Sequence, residues 1–136
     1  MKKKKFAFIQ PMINDGNLTP PLGTLIMASL IEAEGWEVRF FDERIDNNAL
    51  KSLLEFRPAI VGISTVTASV LRGYELAVQI KNVFPDTITI FGGPHPSAMP
   101  EEVSGWEAVD FAVLVKGKKQ SPNYVNGIFP ARYHQR

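Results

Sequence analysis

Five apolar segments alternate with stretches of helical periodicity, and this alternation constrains the fold more than any other feature of the sequence. The third segment, "AIVGIS" at 59–64, is a continuous apolar run, which is typical of a strand covered on both faces. Strands and helices that alternate with short links form right-handed crossovers, and these crossovers make the strands parallel. The alternation therefore predicts an α/β fold with helices on both faces of a parallel sheet.

The predicted strands are "KFAFIQ" (5–10), "WEVRFFD" (36–42), "AIVGIS" (59–64), "TITIFGG" (87–93) and "DFAVLV" (110–115). Helices are predicted over about 20–35, over 48–56, from Val70 to Phe84, and briefly from "PEEVSG" onward. Five strands in this pattern favour the flavodoxin-like order 2-1-3-4-5.

The first helix carries start and stop signals. Thr19 is the predicted N-cap, prolines occupy the first turn, and Gly35 is the predicted C-terminal stop. The residues at helical spacing, which predict the core-facing stripe, are Leu22, Leu25, Ile26, Leu30 and Ala33.

Composition excludes several kinds of site. The chain has no cysteine, which excludes disulfides, thiolate zinc sites, cysteine nucleophiles and an iron–sulfur cluster held by this chain alone. No apolar run approaches the roughly 20 residues that span a bilayer. We therefore predict a cytoplasmic protein with no membrane partner.

Charge is distributed unevenly along the chain. Residues 6–115 hold six basic and fourteen acidic residues, whereas residues 116–136 hold five basic residues and no acidic one. This shift predicts a domain over 1–115 followed by a basic, atypical tail over 116–136. Five dispersed charges are a weak signal for nucleic acid, so we predict no nucleic-acid partner.

In open parallel sheets, ligands bind beyond the carboxyl ends of the strands, where the direction of winding switches. The segments predicted there, "QPMINDGNLTPPLG", "STVTAS" and "GGPHPSA", are rich in small, hydroxylated and turn-forming residues. The glycine signatures of dinucleotide and P-loop sites are absent. Gln10-Pro11 and Ser64 stand where a phosphoacceptor receiver domain needs acidic residues.

Each candidate residue at this edge also has a structural interpretation. Gly92-Gly93 allows close approach of a ligand, or meets a need for positive φ before Pro94, and turn chemistry favours neither. The hydroxyls of "STVT" could bind a ligand, but capping of the following helix is favoured. For His95, loop stabilisation is favoured over metal binding because no second ligand stands at a suitable spacing.

Four segments, "TPPLGTLIMASLIEAEGWEVRFFD", "FRPAIVGISTVTAS", "TITIFGGPHPSAMPEEV" and "VDFAVLV", together resemble one family. They are similar to the cobalamin-binding domain at the N-terminus of cobalamin-dependent radical SAM proteins, a group that includes oxidative cyclases and methyltransferases. The resemblance covers about residues 5–115. It implies a corrinoid over the carboxyl ends of the strands, with its nucleotide tail inserted into the domain.

The resemblance implies a role for each residue at this edge. Gly92 and Gly93 would line the channel of the nucleotide tail. The residues around the corrin ring would be Pro21, Leu22 and Gly23 at its flank, Ser64, Thr65, Val66 and Thr67 beneath it, and Pro94 and His95 at the other rim.

Two departures from related proteins qualify the expected function. The loop after the first strand, "QPMINDGNLT", lacks the histidine that ligates cobalt in the D-x-H-x-x-G group, so the resemblance implies base-off cobalamin without a histidine ligand from this chain. The relatives continue into a barrel that holds an iron–sulfur cluster and S-adenosylmethionine, and we expect these in a domain missing from this chain.

Two other functions compete with cofactor binding. An enzyme acting alone would have only His95 and the nearby hydroxyls, from which no triad can be drawn, so no catalytic and no metal-binding residue is assigned. The alternative function is a flavodoxin-like domain without cofactor, used for partner recognition or for another small ligand.

Overall fold

Six strands form one sheet in the order β2-β1-β3-β4-β5-β6 in the computed structural model, which describes residues 2–13, 21–113 and 128–130. The strands are β1 (Lys5–Gln10), β2 (Glu37–Asp42), β3 (Ile60–Ser64), β4 (Ile88–Gly92), β5 (Phe111–Val113) and β6 (Ile128–Pro130). The helices are α1 (Leu22–Ala33), α2 (Ala49–Phe56), α3 (Val70–Val83), α4 (Pro94–Ala98) and α5 (Pro100–Ser104), with a 3-10 turn over Thr67–Ser69. The first five strands are parallel, so the predicted flavodoxin-like order 2-1-3-4-5 is confirmed.

The sixth strand was not predicted. β6 pairs antiparallel with β5, with Phe111 opposite Pro130 and Val113 opposite Ile128. It lies within 116–136, which charge alone marks as a tail. A three-residue strand has too few positions to show alternation, and its pairing is a tertiary contact that the local sequence does not encode.

One sheet face holds the main hydrophobic core. Ala7 and Ile9 of β1, Val61 and Ile63 of β3, and Phe91 of β4 are buried there, each 1% exposed or less. They pack with Leu53 of α2, Leu76 and Ile80 of α3, and Val103 of α5. We call this the α3 face, and its dense packing fixes the positions at which β1, β3 and β4 end.

The opposite face, which we call the α1 face, is packed differently. Phe6 and Phe8 lie side by side on it, with ring centroids 4.8 Å apart, and Trp36 meets the edge of Phe6. A Cβ at Gly62 would lie 2.8 Å from two ring carbons of Phe8, so glycine leaves the space that this ring fills. The aromatic rings of β1 therefore fill this part of the α1 face.

The interpretation of α1 is wrong about which surface faces the sheet. Leu22, Ile26 and Leu30 are 58%, 58% and 59% exposed. The half-buried positions are instead Thr24, Ala28 and Ile31, which also recur at helical spacing. Smaller side chains on the packed side let α1 lie close to β2, the strand it contacts.

The structure agrees with some of the predictions for the helix ends and for the segment after β4, and differs from others. Gly35 follows α1 with φ of +99°, as a C-terminal stop requires. Thr19, the predicted N-cap, lies outside the described residues, and Pro21 takes the N-cap position. "PHPSA", predicted as a loop, forms the short α4. Within the described ranges, no helix combines the length and apolarity needed to cross a membrane.

Candidate functional site

The carboxyl ends of β1 and β3 form the switch point of the sheet. From β1 the chain moves to β2 at one side, whereas every later crossover as far as β5 moves toward the other side. Right-handed crossovers that run in opposite directions lie on opposite faces, so α1 and α3 diverge between β1 and β3. This divergence opens a crevice at the edge where α/β proteins bind ligands.

Strand register places a row of side chains on the α1 face of this edge. Gln10 lies opposite Asp42, Ser64 lies opposite Gly92, and Gln10 and Ser64 each follow the paired residues Ile9 and Ile63. We call Asp42, Gln10, Ser64 and Gly92 the edge row. The edge row contains a carboxylate, an amide, a hydroxyl and a glycine. Three polar side chains therefore lie in line with a position that has no side chain.

The two adjacent glycines have different environments. Among the described residues, a Cβ at Gly92 would find only Val113 Cβ, 4.0 Å away, so these residues leave space beside Gly92 on the α1 face. Gly93 has φ of +101°, and a Cβ there would lie 2.7 Å from the Thr65 carbonyl oxygen and 3.1 Å from Ser64 Oγ. Gly93 is thus required by its backbone conformation and by close packing against the end of β3.

A Gly93→Ala substitution is therefore expected to destabilise the domain. A positive φ costs an L-residue about 1–2 kcal/mol, and the contact with backbone adds to that cost. The midpoint of urea unfolding should fall, whereas Gly92→Ala, which meets open space, should leave it unchanged or raise it. Equal midpoints for the two variants would contradict this distinction.

The hydroxyl that caps the turn after β3 belongs to Ser69. Ser69 Oγ accepts a hydrogen bond from the Val66 N–H at 3.1 Å and donates to the Val66 carbonyl oxygen at 3.3 Å. Thr65 is 1% exposed, and its Oγ1 has no hydrogen-bond partner. Among the hydroxyls of "STVT", that of Thr65 therefore does not act as a cap.

The second buried atom of this kind is Gln10 Oε1. Gln10 is 7% exposed, and among the described residues only Gln10 Oε1 and Thr65 Oγ1 are buried side-chain polar atoms without a hydrogen-bond partner. Such a group costs about 1–3 kcal/mol when it stays unpaired. The two atoms lie at the ends of β1 and β3, on either side of the switch point, which is where a ligand could supply their partners.

A charged network ties three segments together beside this edge. Glu43, which directly follows β2, accepts hydrogen bonds from Arg72 Nε at 2.9 Å, from Arg72 Nη2 at 2.6 Å and from the Met12 N–H at 3.2 Å. The hydrogen bonds to Glu43 raise the pKa of the Arg72 guanidinium above its usual value. The network holds the start of the β1–α1 connection against α3.

Asp42, the acidic member of the edge row, is already neutralised. Its carboxylate accepts from Arg44 Nε at 3.0 Å and from Arg44 Nη2 at 2.9 Å, and both side chains are less than one-tenth exposed. Among the described residues no group of three or more His, Asp or Glu side chains could hold a metal ion. The edge therefore offers neutral hydrogen-bonding groups.

The residues predicted from sequence form two groups. Ser64 and Thr65 meet Gly92 and Gly93, since the Thr65 N–H donates to the Gly92 carbonyl oxygen at 2.9 Å. Val66 and Thr67 lie at the start of the 3-10 turn. Pro94 and His95 lie at the start of α4, and for His95 the structure describes the backbone. Pro21, Leu22 and Gly23 lie at the start of α1, whose contacts are with β2, two strands from β3.

A sequence model of the B12-binding domain family matches residues 11–125, which includes every one of these residues. The chain belongs to the B12-binding domain family. The resemblance drawn from the sequence is confirmed at this level, and the family match covers most of the chain.

Two curated proteins resemble this B12-binding domain. An uncharacterized methyltransferase of Pyrococcus horikoshii is 31% identical over 90 residues, which are 63% of the chain and 19% of the relative. The anaerobic magnesium-protoporphyrin IX monomethyl ester cyclase of Rubrivivax gelatinosus is 23% identical over 95% of the chain and 25% of the relative. The B12-binding domain thus spans a quarter or less of the length of these relatives.

A solved structure also has the same fold. A crystal structure of a cobalamin-binding protein from Desulfitobacterium hafniense matches 69% of this B12-binding domain and 46% of that chain, with a TM-score of 0.56 and 24% identity. At this identity the likeness supports the fold alone.

Sequence reasoning missed Gln10 and the Glu43–Arg72 pair. A signal for Gln10 was available, since it is the polar residue that ends the otherwise apolar "FAFIQ". No local signal pairs Glu43 with Arg72, which lie 29 residues apart.

Proposed function

We propose that this B12-binding domain holds cobalamin at the carboxyl edge of its sheet and serves as the cofactor module of a longer radical SAM-type enzyme. The observation that carries the proposal is the position of Gln10 Oε1 and Thr65 Oγ1, two buried atoms without a partner on either side of the switch point. A ligand seated on the α1 face would supply a donor to Gln10 Oε1, and only one that also extends over the end of β3 toward α3 would reach Thr65, whose methyl group lies beside Gly73. The edge therefore fits a large neutral ligand that carries many hydrogen-bonding groups around its periphery.

The open position at Gly92 supports an inserted nucleotide tail. Gly92 lies on the α1 face at the end of a buried strand, and in the part of the chain that the structure describes, a Cβ there would meet only Val113. We assign the tail to the space beside Gly92 and Ser64. Gly93 acts indirectly, since its positive φ brings the β4–α4 turn against Thr65.

The remaining assignments concern the corrin ring. Thr65, Val66 and Thr67 would support its lower face from the β3–α3 turn. The residues at the rim would be Pro21, Leu22 and Gly23 on α1, with Pro94 and His95 on α4. The exposed apolar side chain of Leu22, 58% accessible, suits contact with the edge of a large ring.

Residues 11–20 contain no histidine, so the loop after β1 offers no imidazole to cobalt. We propose that cobalamin binds base-off, with its own nucleotide base in the protein and no histidine ligand from this chain. Bound cobalamin would supply methyl transfer or radical chemistry. The chain's own residues bind and orient the cofactor.

The relatives support a second component. Since they are four to five times longer than the matched segment, we propose that this domain works with a catalytic region that holds the iron–sulfur cluster and S-adenosylmethionine. The substrate and the reaction belong to that region.

The test is to mix the purified 136-residue chain with hydroxocobalamin, remove free ligand by gel filtration and record the visible spectrum. We expect about one equivalent of cobalamin to be retained, with a base-off spectrum. Retention with a base-on spectrum would contradict the inserted tail. Failure to retain cobalamin would overturn the proposed function and favour a flavodoxin-like domain that recognises another partner.

A Thr65→Val substitution separates ligand binding from folding. Valine has nearly the same shape as threonine but lacks the unpaired hydroxyl, so the free energy of unfolding should stay equal or rise. Cobalamin affinity should fall about tenfold, as expected for one lost hydrogen bond. The readouts are urea unfolding and spectral titration, and a variant that loses stability but keeps affinity would assign Thr65 to the fold alone.

A further inference from the structure

We infer that the Gln10 side-chain amide binds the nucleotide tail of the corrinoid. This inference rests on the proposed function and adds a contact residue on β1, the second strand of the sheet. Gln10 is the last residue of β1, which lies between β2 and β3 in the sheet. Its amide is therefore held at the switch point by a rigid strand.

The unpaired atom is the acceptor Gln10 Oε1, and the guanidinium donors described beside the end of β2 are engaged by carboxylates. Arg44 donates to both oxygens of Asp42, which lies opposite Gln10. Arg72 donates to both oxygens of Glu43, the next residue. The backbone carbonyl of Gln10 accepts from the Glu43 N–H at 3.0 Å, so the main chain here is satisfied and the side chain is not.

The open space lies along the same row. Gln10, Ser64 and Gly92 end three adjacent strands and lie on the α1 face. A group that fills the position beside Gly92 therefore lies on the face that carries the Gln10 amide. The row thus combines an open position with an amide that lacks a partner.

The chemical class of the bound group follows from the unpaired atom. Gln10 Oε1 is an acceptor, so the ligand must supply an N–H or O–H donor. The nucleotide of cobalamin carries O–H donors on its ribose, whereas the amide that leads from the ring to the nucleotide remains in cobinamide. The corrin ring also carries amides, so the experiment must distinguish the tail from the ring.

Two ligands make this distinction. Hydroxocobalamin has the tail, whereas aquacobinamide has the corrin ring and lacks the nucleotide. In the full chain, Gln10→Met should weaken hydroxocobalamin about tenfold in spectral titration and leave aquacobinamide unchanged. Methionine has a similar length and no amide, so the midpoint of urea unfolding without ligand should stay equal or rise.

Gln79→Met is the matched control, since it makes the same chemical change at an exposed position on α3. It should alter neither affinity. If Gln10→Met fails to fold, Gln10→Leu replaces it in the same titrations. Equal weakening of both ligands would overturn the tail assignment, and unchanged hydroxocobalamin affinity would overturn any ligand role for Gln10. In both cases the wild-type chain still retains cobalamin, so the proposed function survives. A wild-type chain that binds neither ligand overturns both.

Discussion

A Gly92→Val variant is expected to remain folded and to lose most of its affinity for cobalamin. Valine suits a strand, and of residues 2–13, 21–113 and 128–130 its Cβ would meet only Val113, at 4.0 Å, so the free domain should be as stable as wild type or slightly more stable. The added methyl groups would occupy the space assigned to the nucleotide tail. Overpacking of this kind costs about 1–3 kcal/mol, which corresponds to a loss of affinity of roughly tenfold to hundredfold.

Spectral titration with hydroxocobalamin measures the affinity, and urea unfolding measures the stability. Ile88→Phe is the control, because Ile88 lies on the same strand and the same sheet face at the opposite end of β4. It adds volume far from the proposed site and should leave affinity unchanged. Wild-type affinity in Gly92→Val would show that the tail does not enter beside Gly92.

An Arg72→Met variant is expected to lose about 3 kcal/mol of stability, the lower end of the cost of breaking a buried ion pair. The Glu43 side chain is only 9% exposed, and Arg72 supplies two of its hydrogen bonds. Without the guanidinium, Glu43 stays buried and charged. The lower value applies because Arg72 itself is 31% exposed. For a domain of this size, the melting temperature should fall by about 10 °C.

Two further variants check the origin of this loss. Glu75→Gln removes the other carboxylate that Arg72 contacts, but Glu75 is 63% exposed, so the cost should be about 0.5 kcal/mol or less. Glu43→Gln added to Arg72→Met removes the uncompensated charge and should recover part of the stability. A loss below about 1 kcal/mol in Arg72→Met alone would mean that water screens the pair.

The sheet order could be predicted because it depends on features that repeat along the chain. Continuous apolar runs, helical spacing and short links suffice to predict parallel crossovers, and handedness limits the order of the strands. Gly35 could be predicted for the same reason, since the positive φ after a helix is a local requirement. Glu101 and Glu102 likewise lie in the first turn of α5, as expected from the helix dipole.

The errors arose where a pattern had two solutions. In α1, apolar residues occur on most sides of the helix, so spacing could not distinguish the stripe of Leu22, Ile26 and Leu30 from the packed side at Thr24 and Ala28. Size decided the outcome, because the smaller residues lie on the packed side. The same local sequence could not show that Ser69, rather than Thr65, caps the turn after β3.

The location of the candidate site at this edge stays a prediction, which rests on the turn-forming residues that follow the strands. The difference between Gly92 and Gly93 depends on what the end of β3 places next to each of them. The sequence marks Gln10 as a polar end to an apolar strand, but its lack of a hydrogen-bond partner depends on every neighbouring group and so requires the structure. Hydrogen bonding between distant segments determines these details.

The antiparallel strand at the end of the sheet determines which backbone groups the sheet exposes at that edge. β6 covers the side of β5 that would otherwise offer free amide and carbonyl groups to another molecule. Its last residue is Pro130, which has no N–H with which to extend the ladder. A variant truncated before Ile128 would expose the edge of β5. Such chains would be prone to aggregate through backbone hydrogen bonds between exposed strands.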